Sequence, residues 1–88
     1  MQFDAQTLGE IGGRAKARLG RHGIETSARY APGDSSCVEF KGTVRDALGI
    51  AEFVRTVQIS EIDRLGWQVL TDRFCEQAHN ALIWSGGR

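Results

Sequence analysis

Val38-Glu39-Phe40-Lys41-Gly42-Thr43-Val44-Arg45 alternates apolar or small residues with polar or charged ones at every step. In an extended chain, side chains two apart share a face. This octet therefore puts Val38, Phe40, Gly42 and Val44 on one side and Glu39, Lys41, Thr43 and Arg45 on the other, as a half-buried antiparallel strand requires. Upstream, Ala31-Pro32-Gly33-Asp34 sets Pro and Gly at the two central positions of a type II turn. Ahead of that turn Ile24, Thr26, Ala28 and Tyr30 alternate with Glu25, Ser27 and Arg29. Downstream, Asp46-Ala47-Leu48-Gly49 reads as a second turn into a third run over residues 50–59. There Ala51, Phe53, Val57 and Ile59 share a face interrupted only by Arg55. A helix over residues 44–54, capped by Thr43, competes for part of this stretch. Gly49 in mid-helix and the β-branched residues that follow it favour the strand.

Two helices are expected to flank the meander. The first covers residues 5–19, with Asp4 as N-cap and Gly20 or Gly23 as terminator. Its Leu8, Ile11, Ala15 and Leu19 fall on one stripe at ~100° per residue. The second is expected over residues 60–82, opened by Ser60 with Asp63 reaching back to it. The resulting fold class is α+β: a two-layer α-β-β-β-α domain over residues 1–84, with a three-stranded antiparallel sheet and two helices on one face. Residues 85–88, Ser-Gly-Gly-Arg, are expected to form a flexible tail.

With 88 residues the chain supports one domain. Eleven Lys and Arg balance eleven Asp and Glu, and 41 % of residues are hydrophobic. That balance argues against intrinsic disorder and against a strongly basic nucleic-acid arm. The start, Met1-Gln2-Phe3-Asp4, has no basic stretch leading into an apolar one, so no secretory signal is expected. No apolar run approaches the ~20 residues that span a bilayer. Cys37 and Cys75 lie far apart and outside any C-x-x-C pattern, which favours a reduced chain in the cytoplasm; a Cys37–Cys75 bridge is the alternative.

The second helix carries more apolar surface than one buried face needs. Ile62, Leu65 and Val69 define one stripe. Leu70, Phe74 and Ala81, with Trp67 and Ala78 beside them, define another about a third of a circle away at ~100° per residue. Either both stripes are buried, one on the sheet and one on the first helix, or the aromatic one meets a partner. The expected partner-binding set is Trp67, Leu70, Phe74, Ala78 and Trp84, and a two-fold homodimer is its simplest use. On the first helix Gly9, Gly13 and Ala17 form a strip of small residues. Either the helix starts only after Gly13, or the strip admits the second helix or another subunit closely.

Arg14, Arg18 and Arg21 lie on one flank of the first helix at spacings of four and three. They are either a solvated rim or a guanidinium row for phosphates. A row of that kind would make the chain a nucleic-acid-binding domain, against which stand the zero net charge and the acids Glu61, Asp63, Asp72 and Glu76.

The element order resembles that of double-stranded-RNA-binding domains. That family holds phosphates with a lysine-rich cluster at the start of its last helix. The corresponding stretch here, Ser60-Glu61-Ile62-Asp63-Arg64, is acidic, so the likeness extends to topology and not to the binding residues.

Signals for chemistry are sparse. His22 and His79 are isolated in sequence, His79 on the polar side of its helix. Cys75 and His79 at i, i+4 supply two ligands where zinc takes three or four. Asp34-Ser35-Ser36-Cys37 has nucleophile-capable groups without a base at a diagnostic position. Leu8-Gly9-Glu10-Ile11-Gly12-Gly13 lacks the strand and the Lys-Ser/Thr ending of a phosphate loop. No enzyme, cofactor or metal is expected. The reading is a small interaction module of the accessory, inhibitor or phage-protein kind.

Overall fold

The computed structural model describes residues 3–86, with the side chains of all of these except 46 and 84–86. Helix α1 (Ala5–Leu19) opens at Asp4, whose carboxylate accepts the Thr7 N–H, and closes at Gly20. A 3-10 turn (Gly20–His22) follows and ends at Gly23 in the left-handed region, φ 76°. Both predicted terminators are therefore used, Gly20 to end the α-helix and Gly23 to turn the chain toward the sheet. Three strands come next: β1 (Glu25–Ala31), β2 (Asp34–Asp46) and β3 (Gly49–Gln58). The chain closes with α2 (Ile59–Leu65) and α3 (Trp67–Gly86).

The sheet is a meander in the order β1-β2-β3, antiparallel throughout. Gly33 takes φ 78°, as the third position of a type II turn requires. Asp46 pairs with Gly49 across a two-residue loop, so residues 44–54 are strand and turn, and the competing helix does not form. The partners Val38↔Val57, Gly42↔Phe53 and Val44↔Ala51 share the inner face; Lys41↔Val54 and Arg45↔Ile50 share the outer one.

One core gathers the inner face. Ile11, Ala15 and Leu19 of α1, Val38 and Phe40 of β2, Ile62 of α2, and Leu70, Phe74, Ala78 and Leu82 of α3 form a single buried cluster. The Phe40 and Phe74 rings pack at 5.2 Å. Gly42 lets α3 approach the sheet: a Cβ there would lie 3.3 Å from Leu82 Cδ1 and 3.4 Å from Ile24 Cγ2.

Two expectations for the C-terminal half are corrected. The single helix over 60–82 is two helices, broken at Gly66, which takes φ 95°, ψ 136°. Its start is not capped by Ser60. The helix begins at Ile59 after Gln58, with no side-chain cap, and Ser60 lies inside the first turn. Helix α3 runs through Gly86; Gly87 and Arg88, the end of the predicted tail, lie outside the described residues. Among the described residues, no helix is long and apolar enough to cross a membrane.

Candidate binding surfaces

The polar flank of α1 and one flank of α3 meet at Asp72. Arg14 and Arg18, four apart, stack one turn above the other and reach the same carboxylate. Arg14 grips it with both arms, Nε to Oδ1 at 2.8 Å and its terminal nitrogen to Oδ2 at 2.9 Å; Arg18 adds a contact to Oδ1 at 3.1 Å. A bidentate, charge-assisted pair of this kind is the stronger form of ion pair. The Arg14 hydrogen bond, helped by the charges of both arginines, holds the Asp72 carboxyl below its ordinary range against a partial loss of solvent. The same bond raises Arg14. The Arg14 guanidinium also sits 5.9 Å from the Trp67 ring centre, within cation–π range.

Beyond this clamp the 3-10 turn carries Arg21 and His22 toward the middle of α3. With Arg18, Arg73, Glu76 and His79 they line an open groove of about 610 Å³. The His22 and His79 rings meet edge to face with centroids 4.5 Å apart. His79 is thus half-buried against the other histidine rather than freely solvated. Sequence distance hid this contact, because 57 positions separate two residues that only the docking of α1 on α3 brings together. Cys75 lies at the groove's inner wall, and burial pushes its thiol above the ordinary value. Arg21 and Arg73 make no ion pair with any described residue.

Three of the five residues of the predicted apolar partner surface lie inside the core. Leu70 is 9 % exposed, Phe74 3 % and Ala78 0 %, all in the core. Trp67 is half-buried beneath Arg14. The Trp84 side chain lies outside the described residues. The physical reason is the break at Gly66. It resets the helical phase, so that Ile62 before it and Leu70 and Phe74 after it turn toward the same core although they plot a third of a turn apart on one continuous helix. The strip Gly9, Gly13 and Ala17 is exposed, and a Cβ at Gly9, Gly12 or Gly13 would meet nothing within 4 Å. Neither a late start of α1 nor close contact with α3 accounts for it.

The most exposed aliphatic groups lie along β3 and its turn, Leu48 at 96 %, Ile50 at 63 % and Val54 at 48 % exposure, with Val69 of α3 exposed as well. Strand β3 has β2 on one side and, among the described residues, no strand on the other. Its pairing with β2 runs from Cys37↔Gln58 to Asp46↔Gly49 without a register shift. Its two charges are occupied within the chain, Glu52 by Lys41 at 3.2 Å and Arg55 by Gln77 at 2.6 Å.

The remaining candidates are modest. Asp34 accepts the Ser36 N–H at 3.0 Å, the Ser36 hydroxyl at 2.5 Å and the Cys37 thiol at 3.5 Å, a turn-stabilising pattern at the start of β2. Both cysteines are free, and they are not bridged to each other. Among the described residues no three His, Cys, Asp or Glu side chains are grouped to hold a metal ion. Compared with family models, curated proteins and solved structures, the chain matches none.

Proposed function

We propose that the chain is a small interaction module that acts by binding rather than catalysis, and that it pairs with a second copy of itself through the free edge of β3. One observation carries this reading: a ten-residue edge strand flanked by exposed Leu48, Ile50 and Val54. Edge strands in soluble proteins are ordinarily blunted by proline, charged side chains (lysine above all), a bulge or a covering element. In β3 there is no proline, no lysine and no register shift, and its two charges, Glu52 and Arg55, are engaged by Lys41 and Gln77 of the same chain.

Two β3 edges running antiparallel about a two-fold axis extend the meander into a six-stranded sheet. An axis at Val54 sets the two Val54 side chains opposite each other on the outer face, a cross-strand pair of the stabilising kind. Strand pairing of this length buries less than the ~1,200 Å² at the low end of stable interfaces, so a weak, concentration-dependent dimer is expected. Two unpaired thiols fit a reducing compartment, and the proposed location is the cytoplasm.

Sedimentation equilibrium tests the reading. The wild-type particle approaches twice 9.7 kDa at high micromolar concentration, and Val54→Lys, with unchanged circular dichroism, stays a monomer. A wild-type chain that sediments as a monomer up to millimolar concentration ends it.

The alternative, a nucleic-acid binder using Arg14, Arg18 and Arg21, is weakened at its first two residues. Asp72 takes both of them, and Arg21 alone of the row stands without an acidic partner.

A further inference from the structure

We infer that the groove between the end of α1 and the middle of α3 is a binding site for a small phosphate-bearing ligand, held by Arg21 and Arg73 with His22 and His79 in its lining. The inference is independent of β3 pairing and concerns a different part of the molecule.

Four observations support it. First, three guanidiniums, Arg18, Arg21 and Arg73, line the groove against two carboxylates, Asp72 and Glu76. Asp72 is already gripped by Arg14 and Arg18, which leaves its charge satisfied within the chain. Second, Arg21 and Arg73 come from different elements, the 3-10 turn and α3, and neither forms an ion pair with a described residue. Two free guanidinium forks entering one concavity match the geometry in which arginine recognises phosphate oxygens. Guanidiniums in a concavity also focus the field on an anion more than the same charges would on a flat face. Third, His22 and His79 meet at 4.5 Å in the same groove. A neutral imidazole offers one N–H donor and a protonated one two, so the pair adds hydrogen-bond donors beside the guanidiniums. Fourth, the groove's volume, about 610 Å³, lies within the ordinary range for small-molecule sites. It takes a phosphate on a carrier of mononucleotide size, with Leu19 and Val69 as the apolar part of its lining.

The chemistry recognised is the phosphate group, and its source is either free phosphate or a phosphate ester. Amide and side-chain NMR titrations with inorganic phosphate, adenosine monophosphate and adenosine separate the two. The expected result is a saturable shift of His22, Arg73 and His79 resonances with both phosphate probes and none with adenosine. Tighter binding of the nucleotide assigns an ester; equal binding assigns the free anion. Arg21→Gln together with Arg73→Gln weakens binding about tenfold or more, whereas Arg45→Gln with Lys16→Gln, which removes the same charge elsewhere, leaves it unchanged. Raising salt weakens binding in the wild type. Circular dichroism confirms that each variant folds.

Four results overturn the site, three of them from the titrations themselves. Those three are no saturable shift with either phosphate probe, adenosine binding as tightly as its monophosphate, or equal loss in the two double variants. A single-stranded oligonucleotide that binds where neither small phosphate does also overturns it.

Discussion

Asp72 shows how one carboxylate decides what two arginines are available to do. Its folded-state pKa lies below the unfolded value, chiefly through the Arg14 hydrogen bond. Its contribution to stability is therefore complete above about pH 4 and is lost as acid takes the pH down through the depressed value. The groups are partly exposed, at 34 % for Asp72 and 37 % for Arg14. Solvent screening then limits the effect, and Asp72→Asn is expected to cost about 0.5–1 kcal/mol at neutral pH. Urea denaturation of wild type and variant at pH 7 and pH 3 checks it: the gap between the two chains narrows at the lower pH. The cysteines make a second comparison at this scale. Cys75 is 3 % exposed with its thiol pushed up by burial, whereas Cys37 is half-buried at the head of β2. Native-state labelling with a maleimide at neutral pH modifies Cys37 first and reaches Cys75 only at the rate of unfolding. Equal rates would show that the groove wall opens.

At the scale of elements, period and punctuation account for what the sequence makes legible. Three strands and both their turns follow from alternation with a period of two and from Pro32-Gly33, and α1 follows from Asp4 and a stripe ending at Leu19. The break in the C-terminal helix was harder to read. Gly66 sits between Leu65 and Trp67, inside an apolar pattern that continues through it, and a glycine in a helix is tolerated often enough to pass. The doubled stripe was the visible trace of that break, and it reads as surplus girth only if one axis is assumed. Ser60 failed as a cap because the helix begins at Ile59, one residue before it. Glycines in the two helical regions are predicted to respond oppositely to the same change. Gly66→Ala forces a side chain into φ 95° and is expected to cost about 1–3 kcal/mol. Gly13→Ala enters open space in mid-helix and is expected to gain about 1 kcal/mol. Thermal melts of the two variants move to opposite sides of the wild type; a loss at Gly13 would mean that another surface packs on that strip.

For the whole molecule, the described residues gather into one core cluster within a single chain. The side chains expected to be adhesive, Leu70, Phe74 and Ala78, close it. What is left outside is spread over two other places, an aliphatic edge on β3 and a basic groove at the far flank of α1 and α3. Neither was visible from local pattern. An edge strand is known only once the strand order is known, and the groove needs two helices placed side by side. The alternation of β3 did show Ile50 and Val54 on the face opposite Phe53 and Val57, which is the half of the result that a period of two can supply.

Pairing through β3 leaves a direct signature in the backbone. Alternate amides of Gly49–Gln58 point away from β2 and have no partner strand in a single chain. Amide hydrogen exchange, followed residue by residue at low and high protein concentration, reads them individually. Pairing predicts that these outward amides exchange rapidly in dilute protein and become protected as concentration rises, while the β1 edge stays unchanged. Outward β3 amides that exchange at the same fast rate at every concentration would contradict it.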